Sequence, residues 1–476
     1  MTAKNIRILR KGWIILLVFL GINMASNAQQ YHTMYWMQGI PQSTFANPGL
    51  QPNPNYFIGF PGISSIYTGV SHSGFAPFDL IKKSSDSTFY IDDRAMLAKL
   101  KERNYLAFDL SVDILGFGFR AKKKNYFTFG IRERVTTRLG YSKDLLKLAI
   151  DGNDGFASRN ETANIDILSM DMSHYREFAV GFSRKWTPKI TAGTRVKILQ
   201  GMSNVQFMRT DIGFFTAPDN FNILLNADLL INKSFPFTLA PLENVTDREF
   251  TALTQDDYIN YLINQQNMGV AFDLGISYSH GNRFTLAASA VDLGFISWKS
   301  DVENFAAKGE LDFKGLDFDQ IFTSEDDDDP FEGVTDSIID LFDIQETTNA
   351  YRTAMSSKLF VSAAYNLTRM HKFAILGKGE IYQGTLYPSL TVSYNFQPIT
   401  RFGSTFSWSM IHGNIYNFGF GAHVNIFPLQ IYMVVDNFFP AMQPHTIQTF
   451  TFHFGVNIAA GFGRKKDLTT PSFRWF

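Results

Sequence analysis

Nine ionisable side chains sit at alternate positions of stretches whose intervening residues are apolar: Asp109, Asp113, Arg132, Arg134, Arg195, Lys197, Asp273, His423 and His453. Their own face carries Ser, Thr, Gly and Asn, while the opposite face carries Phe, Leu, Val and Ile. An ionised group turned toward lipid costs a few kcal/mol, so all nine belong on an interior face. Acids and bases facing one another across a lumen can form a charged constriction that selects solutes. The same residues can instead fill the interior as ion pairs, which is the simpler expectation.

Other chemistry is sparse. Glu325 and Asp326 to Asp329 supply oxygen ligands suited to calcium. They lack the spaced ligands and turn glycine of a calcium loop, so a solvated loop is expected. There is no Gly-x-Ser-x-Gly elbow, no His-Glu-x-x-His, no phosphate-cradling loop and no cysteine. No catalytic, metal or cofactor residue is assigned, and the chain is not expected to be an enzyme. A net charge of -1 with scattered Lys and Arg leaves no basic field for nucleic acid.

The elements that position the nine residues read as β-strands of period two. Phe450, Phe452, Phe454, Val456 and Ile458 alternate with Thr451, His453, Gly455 and Asn457. Leu106 to Ile114, Phe127 to Ile131, Phe178 to Phe182, Val270 to Tyr278 and Leu359 to Leu367 repeat the pattern. Six tight turns, near 123, 187, 281, 370, 398 and 428, fall on one side. Longer connections, 73 to 103, 140 to 172, 209 to 265 and 300 to 350, fall on the other, with three shorter ones near 385, 413 and 441. Six turns and seven loops join fourteen antiparallel strands, with both ends on the short-turn side. Short periplasmic turns, long outer loops and an even count are the pattern of an outer-membrane transmembrane β-barrel. Twelve or sixteen strands stay open, because Phe221 to Ile231 can form part of another hairpin. The 47 Phe and 19 Tyr suit a lipid-facing band and its girdles. A soluble β-sandwich would not explain the one-sided loop lengths.

Lys4, Arg7, Arg10 and Lys11 precede an apolar run from Ile14 to Ile22 and the small residues Ser26-Asn27-Ala28. Residues 1–28 read as a signal peptide, the run being short of the roughly 20 residues needed to span a bilayer. Residues 29–55 carry Pro41, Pro48, Pro52 and Pro54, which favour an extended or turned chain. This stretch is expected as an N-terminal periplasmic strap or a plug. The barrel should occupy 56–462, and 463–476 a periplasmic tail, with Phe462 closing the last strand and Arg464, Lys465 and Lys466 at the rim.

Three separated motifs carry a resemblance. They are Val291-Asp292-Leu293-Gly294-Phe295-Ile296-Ser297-Trp298, His174-Tyr175-Arg176-Glu177 leading to Arg184-Lys185, and Asn47-Pro48-Gly49-Leu50-Gln51-Pro52 continuing through Gly59-Phe60-Pro61-Gly62-Ile63-Ser64-Ser65. In this order they resemble the DUF5723 family of uncharacterised outer-membrane proteins of Bacteroidota over nearly the whole mature chain. The resemblance implies a barrel in the style of the FadL-type fourteen-stranded proteins, which also include accessory barrels of type IX secretion. It carries over no functional residue. The expected role is a passive channel for small apolar or amphipathic molecules. The alternative is a non-transporting barrel that partners a surface or type IX-like secretion complex. Outer-membrane lipid is the expected surroundings, with a small apolar ligand in the first case.

Overall fold

The computed structural model describes residues 31–73, 81–83, 89–165, 168–219, 222–235, 259, 261–313, 342–411, 414–438 and 449–462. Residues 1–28, read as a signal peptide, the acidic run 324–329 and the expected tail 463–476 lie outside them. No described helix is long and apolar enough to cross a membrane.

Period-two alternation becomes a closed antiparallel ring of fourteen strands. In chain order these are β1 (Tyr56–Gly59 continued by Ile66–His72), β2 (Arg103–Ala121), β3 (Asn125–Ser142), β4 (Ser169–Lys185) and β5 (Ile190–Thr216). Then come β6 (Met268–His280), β7 (Phe284–Trp298), β8 (Tyr351–Ala354 continued by Ser357–Asn366), β9 (His371–Tyr382) and β10 (Thr385–Ile399). The last four are β11 (Phe402–Ile411), β12 (Asn414–Ile426), β13 (Leu429–Val435) and β14 (Thr449–Ala460). Closure is between the first and last strands: Tyr56 pairs with Ala460 and Ile66 with Phe454. All six tight turns are at one end of the ring, as the sequence predicts.

Which face is covered identifies the solvent. Val361 is 69% and Val180 60% exposed, whereas Asp273 and Asn457 are fully buried. A water-soluble sheet does the opposite. An apolar outer wall around a polar interior matches a hydrocarbon surround. Rings pack along that wall, Phe119 stacked on Phe127 and Phe127 tilted against Phe182, at centroid separations of 5.3 and 5.1 Å.

Pro61 and Gly62 interrupt β1 between Gly59 and Ile66, and Gly62 adopts φ +74°. Residues 209–265 are not a simple loop, because β5 runs on to Thr216, 27 residues in all. Its outer half pairs with Ile223–Ser234, which pairs with Val302–Phe313, which pairs with Phe342–Thr347. The hairpin suspected near Phe221 to Ile231 therefore exists, but it builds a sheet that projects from the ring and adds no strand to it. Residues 140–172 are likewise partly ordered: Ser142 caps the helix Lys143–Asp151, accepting from the Leu145 amide at 3.0 Å.

The N-terminal segment from Tyr31 to Asn55 is almost entirely buried and contains two short 3-10 turns, Met34–Trp36 and Pro41–Phe45. Its bonds reach strands all around the ring. His32 meets Thr391 on β10, Thr33 meets Ser407 on β11, and Gln42 meets Asn457 on β14. Ala46 accepts from Ser289 on β7, Gly49 from Ser277 on β6, and Gln51 donates to Ser183 on β4. A stretch bonded to opposite walls lies inside the lumen.

Candidate functional site in the barrel lumen

The structure places all nine sequence-predicted residues on the interior, each at most 7% exposed. Six share one region. Arg132 Nε donates to Asp113 at 2.5 Å. Lys197 Nζ lies 2.9 Å from Asp273 and 2.6 Å from Asp292, and Arg195 lies 3.3 Å from Asp273. Arg134 lies 3.2 Å from Asp292 and 3.6 Å from Glu177. The other three stand apart. Asp109 accepts two bonds from Arg138, at 3.0 and 3.1 Å, in fork geometry. His453 bonds Ser65 at 2.7 Å and Tyr432 at 3.2 Å. His423 lies against Gly39 and Gly403, where an added Cβ on either glycine would come within 2.3 Å of its ring.

The hub of the network is Asp292, which single-face parity misplaces. Phe284, Leu286, Ala288 and Ala290 face outward, so the next even residue should meet lipid. Instead Val291 and Asp292 are both buried, because the β6–β7 ladder slips by one residue at Phe272/Leu274 and Asp292 adopts φ +60°. A bulge re-aims a side chain in just this way. The Asp292 amide donates to Asp273 at 2.8 Å, and its carboxylate accepts from Lys197, Arg134 and Lys358. The sequence carried a signal: an aspartate on a lipid-facing parity is too costly to stay there. Glu177 and Lys358 needed no such clue, since the parity of Phe178 and Leu359 already turns them inward.

The N-terminal segment enters this network through aromatic and backbone groups. Phe45 presents its ring to Arg132 and Arg195, with centroid separations of 3.6 and 5.3 Å. Arg195 also donates to the Thr44 carbonyl at 3.2 Å. Every carboxylate of the network has a cationic partner, and among the described residues no group of three His, Asp or Glu is placed to hold a metal ion.

Not all of the lumen is polar. Ala287, Val291, Phe360, Ala364, Ala374 and Leu376 form an inward apolar strip on β7, β8 and β9. Tyr35, Trp36, Ala46 and Leu50 of the segment cover it, with the Tyr35 and Phe360 rings 5.5 Å apart. Close approach elsewhere depends on missing side chains: a Cβ on Gly275 of β6 would sit 2.1 Å from Asn47 Oδ1 and 2.7 Å from the Gly49 nitrogen. Gly275→Val is therefore expected to loosen the segment while leaving the ladder intact. Faster protease cleavage within residues 31–55 of the folded barrel would register it, and unchanged cleavage would refute it.

Among solved structures, a Pseudomonas aeruginosa FadL homologue is similar at 10% identity and a TM-score of 0.42, covering 89% of this chain and 94% of that one. The toluene transporter TodX of P. putida is similar at 11% identity and a TM-score of 0.37, over 91% and 94% of the two chains. The monoaromatic hydrocarbon channel CymD gives 8% identity and a TM-score of 0.35, over 89% and 94%. These superpositions are loose, and the architecture rests on the strand pairing itself. No curated protein matches. The family model for DUF5723, described as a family of unknown function, matches residues 48–436, and the chain belongs to that family.

Proposed function

We propose that this chain is a passive outer-membrane channel for small apolar or amphipathic molecules, closed at rest by its own N-terminal segment. Residues 1–28 would be removed on export, leaving 29–55 as the plug of the barrel 56–462. The observation that carries the reading is the apolar strip around Phe360 and Leu376, which the segment covers. A water-filled pore for ions gains nothing from an apolar wall. A solute with an apolar body gains by burial there, about 25 cal/mol for each Å² covered. The other bonds that hold the segment are largely single hydrogen bonds to neutral groups, each contributing only about 1 kcal/mol net, which suits a reversible closure. Gln42 ties the segment to the interrupted β1, donating to the Ser64 carbonyl at 3.1 Å. Withdrawal would therefore also release the weakest stretch of the wall.

The chain has no cysteine, so a lock can be installed cleanly. Gln42 and Asn457 touch at 2.9 Å, and a Gln42→Cys, Asn457→Cys pair should cross-link segment to wall. In proteoliposomes the oxidised variant should take up no apolar or amphipathic probe, and reduction should restore uptake. Equal uptake in both states would rule out the segment as the gate. Absence of uptake in the reduced variant and in the natural protein would rule out the channel.

A further inference from the structure

At the short-turn end, two adjoining cavities of about 440 and 170 Å³ share Trp36, Gln38, Asn53, Lys372 and Gln397 among their walls. Arg120, Lys123, Lys185 and Lys372 line the larger and Arg369 the smaller, and among the described residues no carboxylate lines either. This is the reverse of the ion-pair network deeper in the lumen, where each cation has an acid beside it. A concave wall carrying charge of one sign focuses potential and concentrates counter-ions.

A second observation points the same way. Trp36 and His423 are each 4% exposed and both line the smaller cavity. Among the described residues, the indole nitrogen of Trp36 and both ring nitrogens of His423 have no hydrogen-bond partner. Buried polar groups are normally satisfied, and leaving them so is costly. An imidazole always offers at least one N–H, so both residues carry a buried, unpaired donor in the wall of a space already rich in positive charge. Donors without acceptors, inside a basic basin, define the complement: a compact group that is all acceptor and negatively charged.

We propose that this basin binds an oxyanion, a carboxylate or phosphate, either as a free ion or as the head of an amphiphile. The group would rest above Trp36, toward Lys185 and Lys123 at the rim. The site faces the compartment toward which short turns point, on the far side of the N-terminal segment from the long loops. Binding here is an equilibrium property and does not depend on flux through the barrel.

The test is isothermal titration of the full mature barrel in a neutral maltoside detergent with inorganic phosphate, butyrate, dodecanoate and dodecanol. Saturable binding of phosphate and butyrate would identify a free-ion site. Binding of dodecanoate without phosphate, butyrate or dodecanol would identify an amphiphile headgroup site. In either case Lys123→Gln with Lys185→Gln should weaken binding about tenfold, and binding should fall as salt is raised. Trp36→Phe, which keeps a ring over the apolar strip and removes the donor, should weaken it about threefold. The proposal is overturned if no probe binds, if dodecanol binds as tightly as dodecanoate, or if the double lysine variant binds like the natural protein.

Discussion

Removing residues 29–50 should convert a silent barrel into a conducting one. The segment occupies the lumen, and its loss leaves hydroxyls and amides such as Thr391, Ser407 and Asn457 facing space that water can fill. Water satisfies such groups nearly as well as the lost partners, so the ring should persist. Arg120 would still hold the remaining strap, donating to the Pro52 carbonyl at 2.6 Å and to Asn55 at 3.0 Å. In planar bilayers the full mature chain should give no steps and the deletion variant resolved single-channel steps. The open pore should prefer anions. Around the hub, Arg132, Arg134, Arg195, Lys197 and Lys358 face Asp113, Glu177, Asp273 and Asp292, five cations to four acids, and the basin beyond adds more positive charge. Reversal potentials in a salt gradient measure this directly. A deletion variant that folds, judged by its heat-dependent gel mobility, and stays silent would overturn the plug.

The second large effect is expected at Asp292. Asp292→Leu strands Lys197, Arg134 and Lys358 without their shared acid in a buried setting. Breaking one side of a buried ion pair costs about 3–5 kcal/mol, and here three cations lose a partner together. Leucine also tolerates the left-handed φ of +60° poorly, whereas Asp and Asn accept it. Asp292→Asn separates the two causes, because it keeps the backbone preference and the amide bond to Asp273 while losing only charge. Denaturant unfolding in detergent, followed by tryptophan fluorescence, should rank natural protein, Asn and Leu in falling order. Equal stability of all three would show that the network does not depend on its hub.

The ring was readable because its signal is local. In β14 or β6 every second residue is apolar, and a period of two needs no knowledge of what lies opposite. Parity also turned Asp109, Arg132, Lys197 and their companions inward without any tertiary information. It failed at Asp292 for a definite reason: a bulge shifts one strand against its neighbour, and that shift is a property of the pair. The projecting sheet was hidden for another reason. Beyond Gln206, where its pairing with β4 ends, β5 no longer separates lipid from lumen, so Phe207 to Thr216 carry mixed residues on both faces and the alternation fades. Residues 31–55 show the limit most clearly. Four prolines pointed to an extended or turned chain, but only contacts far away in sequence, such as Ser289 on Ala46 and Asn457 on Gln42, decide that it runs inside the cylinder.

The outer half of β5 matches Ile223–Ser234 over 12 residues. Its pairing with β4 ends at Gln206, and from there to Thr216 it extends roughly 34 Å at about 3.4 Å per residue. That length is comparable to the thickness of the hydrocarbon layer, so the protein is as much a mast as a hole. Antibodies, phage and neighbouring cells approaching from the long-loop side meet in the mast a surface that lines no part of the lumen. What recognises this protein from a distance and what passes through it are thereby set on separate pieces of chain, free to diverge from each other.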